Sequence, residues 1–213
     1  EQEWSNGNVG LYGKSYEGAT QWEAALAGNP YLKTIVPISG TTSTKTLLFK
    51  NGSAEARSQV MHGAYFINIV DFDESDADHV CPDVADGFTR GERTYLEPRI
   101  DPDMDYWNER DYRQRSIDNY QGSVYFVQGL QDWNVDSHMI FPLYQQMKDA
   151  GFDVKGIFGQ WGHDYPDQWQ KHDDIDKNNG GTAFPQMTRW DWGQDLFEWF
   201  EYYLQNRGPK PDL

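Results

Sequence analysis

The chain has a single cysteine, Cys81, so an intrachain disulfide is excluded. No candidate catalytic pattern surrounds Cys81, which is read as a passive thiol. Basic residues are scarce: 18 Lys and Arg stand against 34 Asp and Glu, a formal charge of −16. That balance argues against nucleic acid as a partner, because phosphate backbones attract cations. It argues equally against anionic membrane surfaces. No apolar run reaches the roughly 18 residues of a membrane-spanning helix, and no signal-peptide pattern is visible. Internal repeats are also missing. Aromatic residues are plentiful, at 15% within a 38% apolar composition, so the chain can bury a core. Its 213 residues are enough for one sizeable domain or one and a half small ones. It opens at Glu1 rather than methionine and is expected to be a processed or excerpted piece of a longer polypeptide.

The most informative stretch is Asn8-Val9-Gly10-Leu11-Tyr12-Gly13-Lys14-Ser15-Tyr16-Glu17-Gly18. A short apolar run ends in glycine, presents one serine, and opens into Ala19 to Ala27. This reads as strand, tight turn and helix. A serine on such a turn is lifted out of the sheet. The free N–H groups at the helix start favour negative charge at the same place. The turn departs from the common G-x-S-x-G: Glu17 occupies the second position after the serine, and glycine follows at Gly18.

Gly28-Asn29-Pro30 stops the helix, and Thr34 to Ile38 reads as a buried strand. Strand, helix, strand at this spacing predicts a βαβ unit with parallel strands. From Thr41 to about Gln121 the apolar periodicity weakens. Helical patches are expected around Ser53 to Val70 and Asp105 to Tyr120, giving an inserted helical lid. The acidic run Asp71 to Asp83 lacks the glycine and glutamate that a calcium loop uses, and is read as a solvated loop. The sheet pattern resumes at Ser123 to Gly129, four apolar residues between polar ends. A helix is predicted over Ser137 to Ala150 and a strand over Asp153 to Phe158. Asp167 to Gln186 reads as a loop containing His172-Asp173-Asp174, expected to be solvated rather than metal-binding. A last helix is predicted over Trp190 to Asn206, with Leu196, Phe197, Phe200, Tyr203 and Leu204 on one apolar face.

Ser15, Asp132 and His163 each follow a predicted parallel strand. That is the edge where open α/β sheets place ligands. Taken singly, aspartate is common in turns and histidine on surfaces. Of the five histidines, His62, His79, His138 and His172 lack a strand and glycine hinge directly before them; His163 has both. The chain order serine, aspartate, histidine is that of the α/β-hydrolase triad. In that reading His163 takes the Ser15 proton and returns it to the leaving group. Asp132 orients the imidazole. The backbone N–H of Tyr16 serves the oxyanion hole. Imidazole is uncharged above pH ~6.5, so activity is expected under neutral or mildly alkaline conditions.

The segment Gly13 to Gly18, with Trp4, Asn6, Gly7, Val9 and Gly10 before it, resembles the nucleophile segment of the X-prolyl dipeptidyl aminopeptidase family. Gly129-Leu130-Gln131-Asp132-Trp133-Asn134-Val135 resembles the segment carrying that family's acid, and Trp161-Gly162-His163 its histidine segment. Tyr106 to Tyr112 is similar to an aromatic and charged stretch preceding the acid. The resemblance runs from about Trp4 to Gln205. It implies an α/β-hydrolase core over 1–40 and 121–213, from the nucleophile strand onward, with a lid inserted at 41–120. It implies a serine peptidase that releases N-terminal X-Pro dipeptides from peptides, without metal or organic cofactor. A homodimer is implied by the resemblance alone, and a cytoplasmic location is the expectation.

The related cocaine-esterase and acylase branch shares Gly-x-Ser-Tyr-x-Gly, so an esterase or acylase is the first alternative. The Asp-Trp-Asn-Val block favours the peptidase. The wider family takes a second oxyanion donor from a tyrosine upstream of the nucleophile. Nothing among the fourteen residues before Ser15 matches it. An inactive fragment of a longer enzyme is therefore the second alternative.

Overall fold

A computed structural model of the chain describes residues 2–55, 101–103, 105–168 and 185–213. His62, the acidic run at 71–83 with His79 and Cys81, and the cluster at 172–174 lie outside them. In chain order the elements are β1 (Val9–Lys14), α1 (Tyr16–Leu26), β2 (Leu32–Ile38), α2 (Thr44–Leu48), β3 (Phe49–Lys50) and β4 (Ser53–Ala54). There follow α3 (Asp105–Asn108), α4 (Arg113–Asn119), β5 (Ser123–Gly129), α5 (Ile140–Asp149), β6 (Val154–Gly159) and α6 (Trp192–Gln205). The chain divides into two compact units, 1–42 with 112–213, and 43–111.

The first unit is an α/β structure on a four-stranded sheet, ordered β1-β2-β5-β6, in which every neighbouring pair is parallel. β5 is buried along its whole length, as its continuous apolar run predicts. Its side chains alternate between faces. Val124 and Phe126 join Trp22, Ala25, Ile35, Leu143 and Met147 in one cluster. Tyr125 and Val127 join Val36, Ile38, Trp161, Trp192 and Trp199 in another. Helices α1 and α5 cover the first face and α6 the second.

The face of α6 differs from the prediction. Phe197 is 59% exposed, whereas Trp199, left out of the predicted stripe, is fully buried. The buried positions are Trp192 and Trp199, one heptad apart, and they set the centre of the stripe. Trp199 also satisfies its indole by donating to Thr34 Oγ1 at 2.7 Å. At the far end of α6 the Leu204 carbonyl accepts from Asn6 Nδ2 and Asn8 Nδ2, each at 2.8 Å. The two asparagines ahead of β1 therefore cap a helix almost two hundred residues away.

β2 carries Pro37, which has no N–H for the ladder. The preceding N–H, of Val36, is taken by Gln21 Oε1 at 2.9 Å. The buried Gln21 amide also donates to the Gly13 and Glu17 carbonyls at 3.3 and 3.0 Å. One side chain thus joins α1, the end of β1 and the irregular point of β2.

In the second unit, α2 starts at Ser43, whose side chain accepts from the Thr46 N–H. β3 and β4 form a hairpin through Asn51-Gly52, both at positive φ. Asn-Gly suits this two-residue turn, and it corrects the expectation that a helical patch begins at Ser53. The remainder of that patch, 56–70, lies outside the described residues. Among the described residues of this unit, Leu48, Phe49 and Trp107 form a buried cluster. Trp107 meets Phe49 edge-on at 5.2 Å between ring centroids.

Candidate active site

Ser15 sits between β1 and α1 at φ 62° and ψ −119°, a conformation that L-residues rarely adopt. Two backbone bonds hold it there. Its N–H donates to the Ile38 carbonyl, and its carbonyl accepts from Ala19, both at 2.9 Å. Its hydroxyl does not cap the helix. As the first residue of α1, Tyr16 has an N–H without an intrahelical acceptor.

The glycines around Ser15 are explained by close approach. A Cβ on Gly13 would lie 2.6 Å from Glu17 Cβ. A Cβ on Gly18 would lie 2.9 Å from Gly40 Cα and 3.0 Å from the Ile38 carbonyl oxygen. The glycine displaced by one place in the motif is therefore the one at which α1 touches the end of β2.

Asp132 follows β5, and its carboxylate is buried. Oδ1 accepts the N–H groups of Asn134 and Val135, each at 2.9 Å. Oδ2 accepts from Gln128 Nε2 at 3.3 Å and meets His163 Nδ1 at 2.8 Å. Four donors on two oxygens offset the cost of burying the carboxylate. Because an ionised carboxylate only accepts, Nδ1 carries the proton and Nε2 is left as the basic nitrogen. Gln128 is a neighbour of this pair that sequence reading missed. Its Nε2 also donates to the Val135 carbonyl at 2.8 Å, fixing the turn that presents Asp132.

His163 follows β6, and its side chain is 10% exposed. The acid and histidine segments are stitched together by backbone bonds, Leu130 N–H to Gly159 O at 2.8 Å and Gln131 N–H to Trp161 O at 3.1 Å. Gly129 permits this approach. A Cβ there would collide with the Trp161 and Gly162 carbonyl oxygens. Gly129→Ala is expected to push the two segments apart, costing about 1–3 kcal/mol of stability and about 100-fold in turnover. Chemical denaturation and hydrolysis assays check the two losses separately.

The structure thus brings Asp132 and His163 into contact. It sets Ser15 at the same carboxyl edge of the sheet, without a direct Ser15–His163 hydrogen bond among the described residues. Such bonds are often long before substrate arrives. Lys14, next to the serine, reaches the histidine segment, donating to the His163 carbonyl at 3.2 Å. Of the other described aromatics near these residues, Tyr16 and Trp133 are exposed and Trp161 is buried.

A family model described as X-Pro dipeptidyl-peptidase (S15 family) matches residues 1–165. A curated Bacillus anthracis protein, provisionally named Xaa-Pro dipeptidyl-peptidase, is 28% identical over 203 residues; the match covers 95% of this chain and 30% of the relative. The chain thus spans less than a third of that relative's length. The uncomplexed acylaminoacyl peptidase of Pyrococcus horikoshii superposes with a TM-score of 0.58 at 15% identity, over 98% of this chain and 26% of that one. An α-amino acid ester hydrolase superposes with a TM-score of 0.52 at 17% identity, over 98% of this chain and 36% of that one. These likenesses give the fold, that of the α/β-hydrolases. Among the described residues no helix is long and apolar enough to cross a membrane.

Proposed function

Because the chain belongs to the X-Pro dipeptidyl-peptidase (S15) family, we propose that it carries the triad of a serine peptidase that releases N-terminal X-Pro dipeptides. The observation that carries this reading is the buried Asp132–His163 pair, at 2.8 Å, on the sheet edge that also presents Ser15. Ser15 Oγ attacks the carbonyl carbon of the proline at the second position. His163 Nε2 takes the hydroxyl proton and passes it to the departing amine. The N–H of Tyr16 stabilises the oxyanion. Water, deprotonated by the same imidazole, then cleaves the acyl-enzyme and frees Ser15. Asp132 holds the ring in the required tautomer throughout.

The second reading is an ester or acyl hydrolase with the same triad. The Gly-x-Ser-Tyr-x-Gly pattern is common to both branches, and the fold does not choose between them. The decisive assay is hydrolysis of an Ala-Pro chromogenic amide by the full-length protein, with an N-blocked amide, a short acyl ester and Ser15→Ala as controls. Cleavage lost on both N-blocking and Ser15 substitution is the expected result. A folded protein that leaves the amide intact and cleaves the ester overturns the peptidase reading in favour of the second.

A further inference from the structure

We infer that Lys14 is a positioning residue, a latch that holds the histidine segment over the nucleophile turn. The inference rests on the proposed triad. The need for a latch follows from the strand order. β1, which presents Ser15, and β6, which precedes His163, are the first and last of four strands. Three strand spacings separate them, about 14 Å. Four residues lead from Gly159 to His163, a reach of at most about 14 Å when fully extended. The ladder bonds of the sheet join only neighbouring strands, so none of them fixes the histidine segment relative to the serine.

Lys14 supplies that connection. Its Nζ donates to the His163 carbonyl at 3.2 Å and to Asp164 Oδ1 at 3.3 Å. It also lies 5.4 Å from the Tyr165 ring centroid. Asp164 is a fixed anchor rather than a loose surface acid. Its side chain is 9% exposed, Oδ1 accepts the Tyr165 N–H at 2.9 Å, and the Gln168 amide lies against the carboxylate, where its nitrogen, once turned toward it, donates as well. One lysine adjacent to the serine therefore grips the backbone of the histidine and the acid beside it. Asp132 fixes the ring through Nδ1, and Lys14 fixes where that ring stands relative to Ser15 Oγ. These two restraints act on different atoms.

The test uses Lys14→Met, Lys14→Arg and Asp164→Asn in the full-length protein. Two readouts are taken: the kcat and KM for the Ala-Pro amide, and the rate at which a serine-directed phosphonate labels Ser15. The thermal midpoint of each variant is measured alongside. Misplacing a base by about 1 Å costs about 100-fold in rate. Lys14→Met is expected to lower kcat and the labelling rate about 10–100-fold, with KM within about twofold. Lys14→Arg, which keeps two donors at the site, is expected to restore most of both. Asp164→Asn is expected to shift both in the direction of Lys14→Met, which keeps the test open should the methionine variant fail to fold. Wild-type labelling with unchanged rates in the folded variants overturns the latch and leaves the triad standing. A wild-type protein that is not labelled at Ser15 overturns both.

Discussion

Ser15→Gly is expected to abolish turnover and to make the protein more stable. The loss needs little argument if Ser15 is the proposed nucleophile. Removing the serine of such a triad costs about 10⁶ in kcat. The gain follows from the backbone. Ser15 is held at φ 62° and ψ −119°, where a side chain costs about 1–3 kcal/mol. Glycine adopts this conformation freely, but it loses about 0.5–1 kcal/mol more backbone entropy on folding. The net expectation is about 1 kcal/mol of added stability. Ser15→Ala is the control: it removes the hydroxyl and keeps the Cβ, so it loses the same activity with stability unchanged within about 0.5 kcal/mol. Denaturant titration of both variants checks the pair. A glycine variant no more stable than the alanine variant would mean that the turn carries no strain.

That strain has an evident source. The Ser15 N–H is drawn to Ile38, the next residue of α1 starts a helix, and Gly18 lets that helix touch Gly40. The serine is over-determined from three sides. The same packing accounts for what could be read from the bare sequence. β1, α1 and β2 were legible because glycine, serine and an apolar run sit at turn and strand positions whose chemistry is local. β5 was legible because a parallel strand covered on both faces is continuously apolar, and β6 because Val154, Ile157 and Phe158 lie between Gly151 and Gly159. The order of Ser15, Asp132 and His163 at three strand ends then followed from topology.

What was not legible depends on contacts between distant residues. Gln21 shares α1 with Glu17, Thr20 and Glu23, and Gln128 sits at the polar end of β5; in sequence nothing distinguishes them from solvated glutamines. Each is buried because the irregular backbone beside it needs a partner: the Val36 N–H for Gln21, the Val135 carbonyl for Gln128. Asn6 and Asn8 belong to the stretch that leads into the nucleophile turn, but their role as a cap for α6 emerges only from the fold. The face of α6 was misplaced because Phe197 and Trp199 are both apolar, and only the sheet decides which of them it covers. Asn51-Gly52 is a different case. The hairpin signal was local and readable, and the expectation of a helix obscured it.

Asp132→Asn is expected to lower kcat by about 10⁴-fold with little change in KM, and the hydrogen bonds at this carboxylate explain why so small a change acts so strongly. Oδ1 already accepts two backbone N–H groups. An asparagine must therefore keep its carbonyl oxygen at that position, which places its NH₂ where Oδ2 stood. There it faces His163 Nδ1 and Gln128 Nε2. The imidazole can pair with an NH₂ donor only by presenting Nδ1 as an acceptor, which moves its proton to Nε2. That nitrogen then cannot take the Ser15 proton. The Gln128 amide meets a donor with a donor, at a cost of about 1–3 kcal/mol for the buried group left unpaired. Turning the Gln128 amide over offers no escape, because its oxygen would then face the Val135 carbonyl. The variant should thus be folded, measurably less stable, able to bind substrate, and nearly inactive. Steady-state kinetics checks the rate. Proton NMR checks the cause, since the low-field signal of an Nδ1–H shared with a carboxylate should disappear. A variant keeping more than about a tenth of wild-type kcat would make the Asp132–His163 pair a structural contact rather than part of the proposed triad, since loss of the tautomer alone costs about 10⁴.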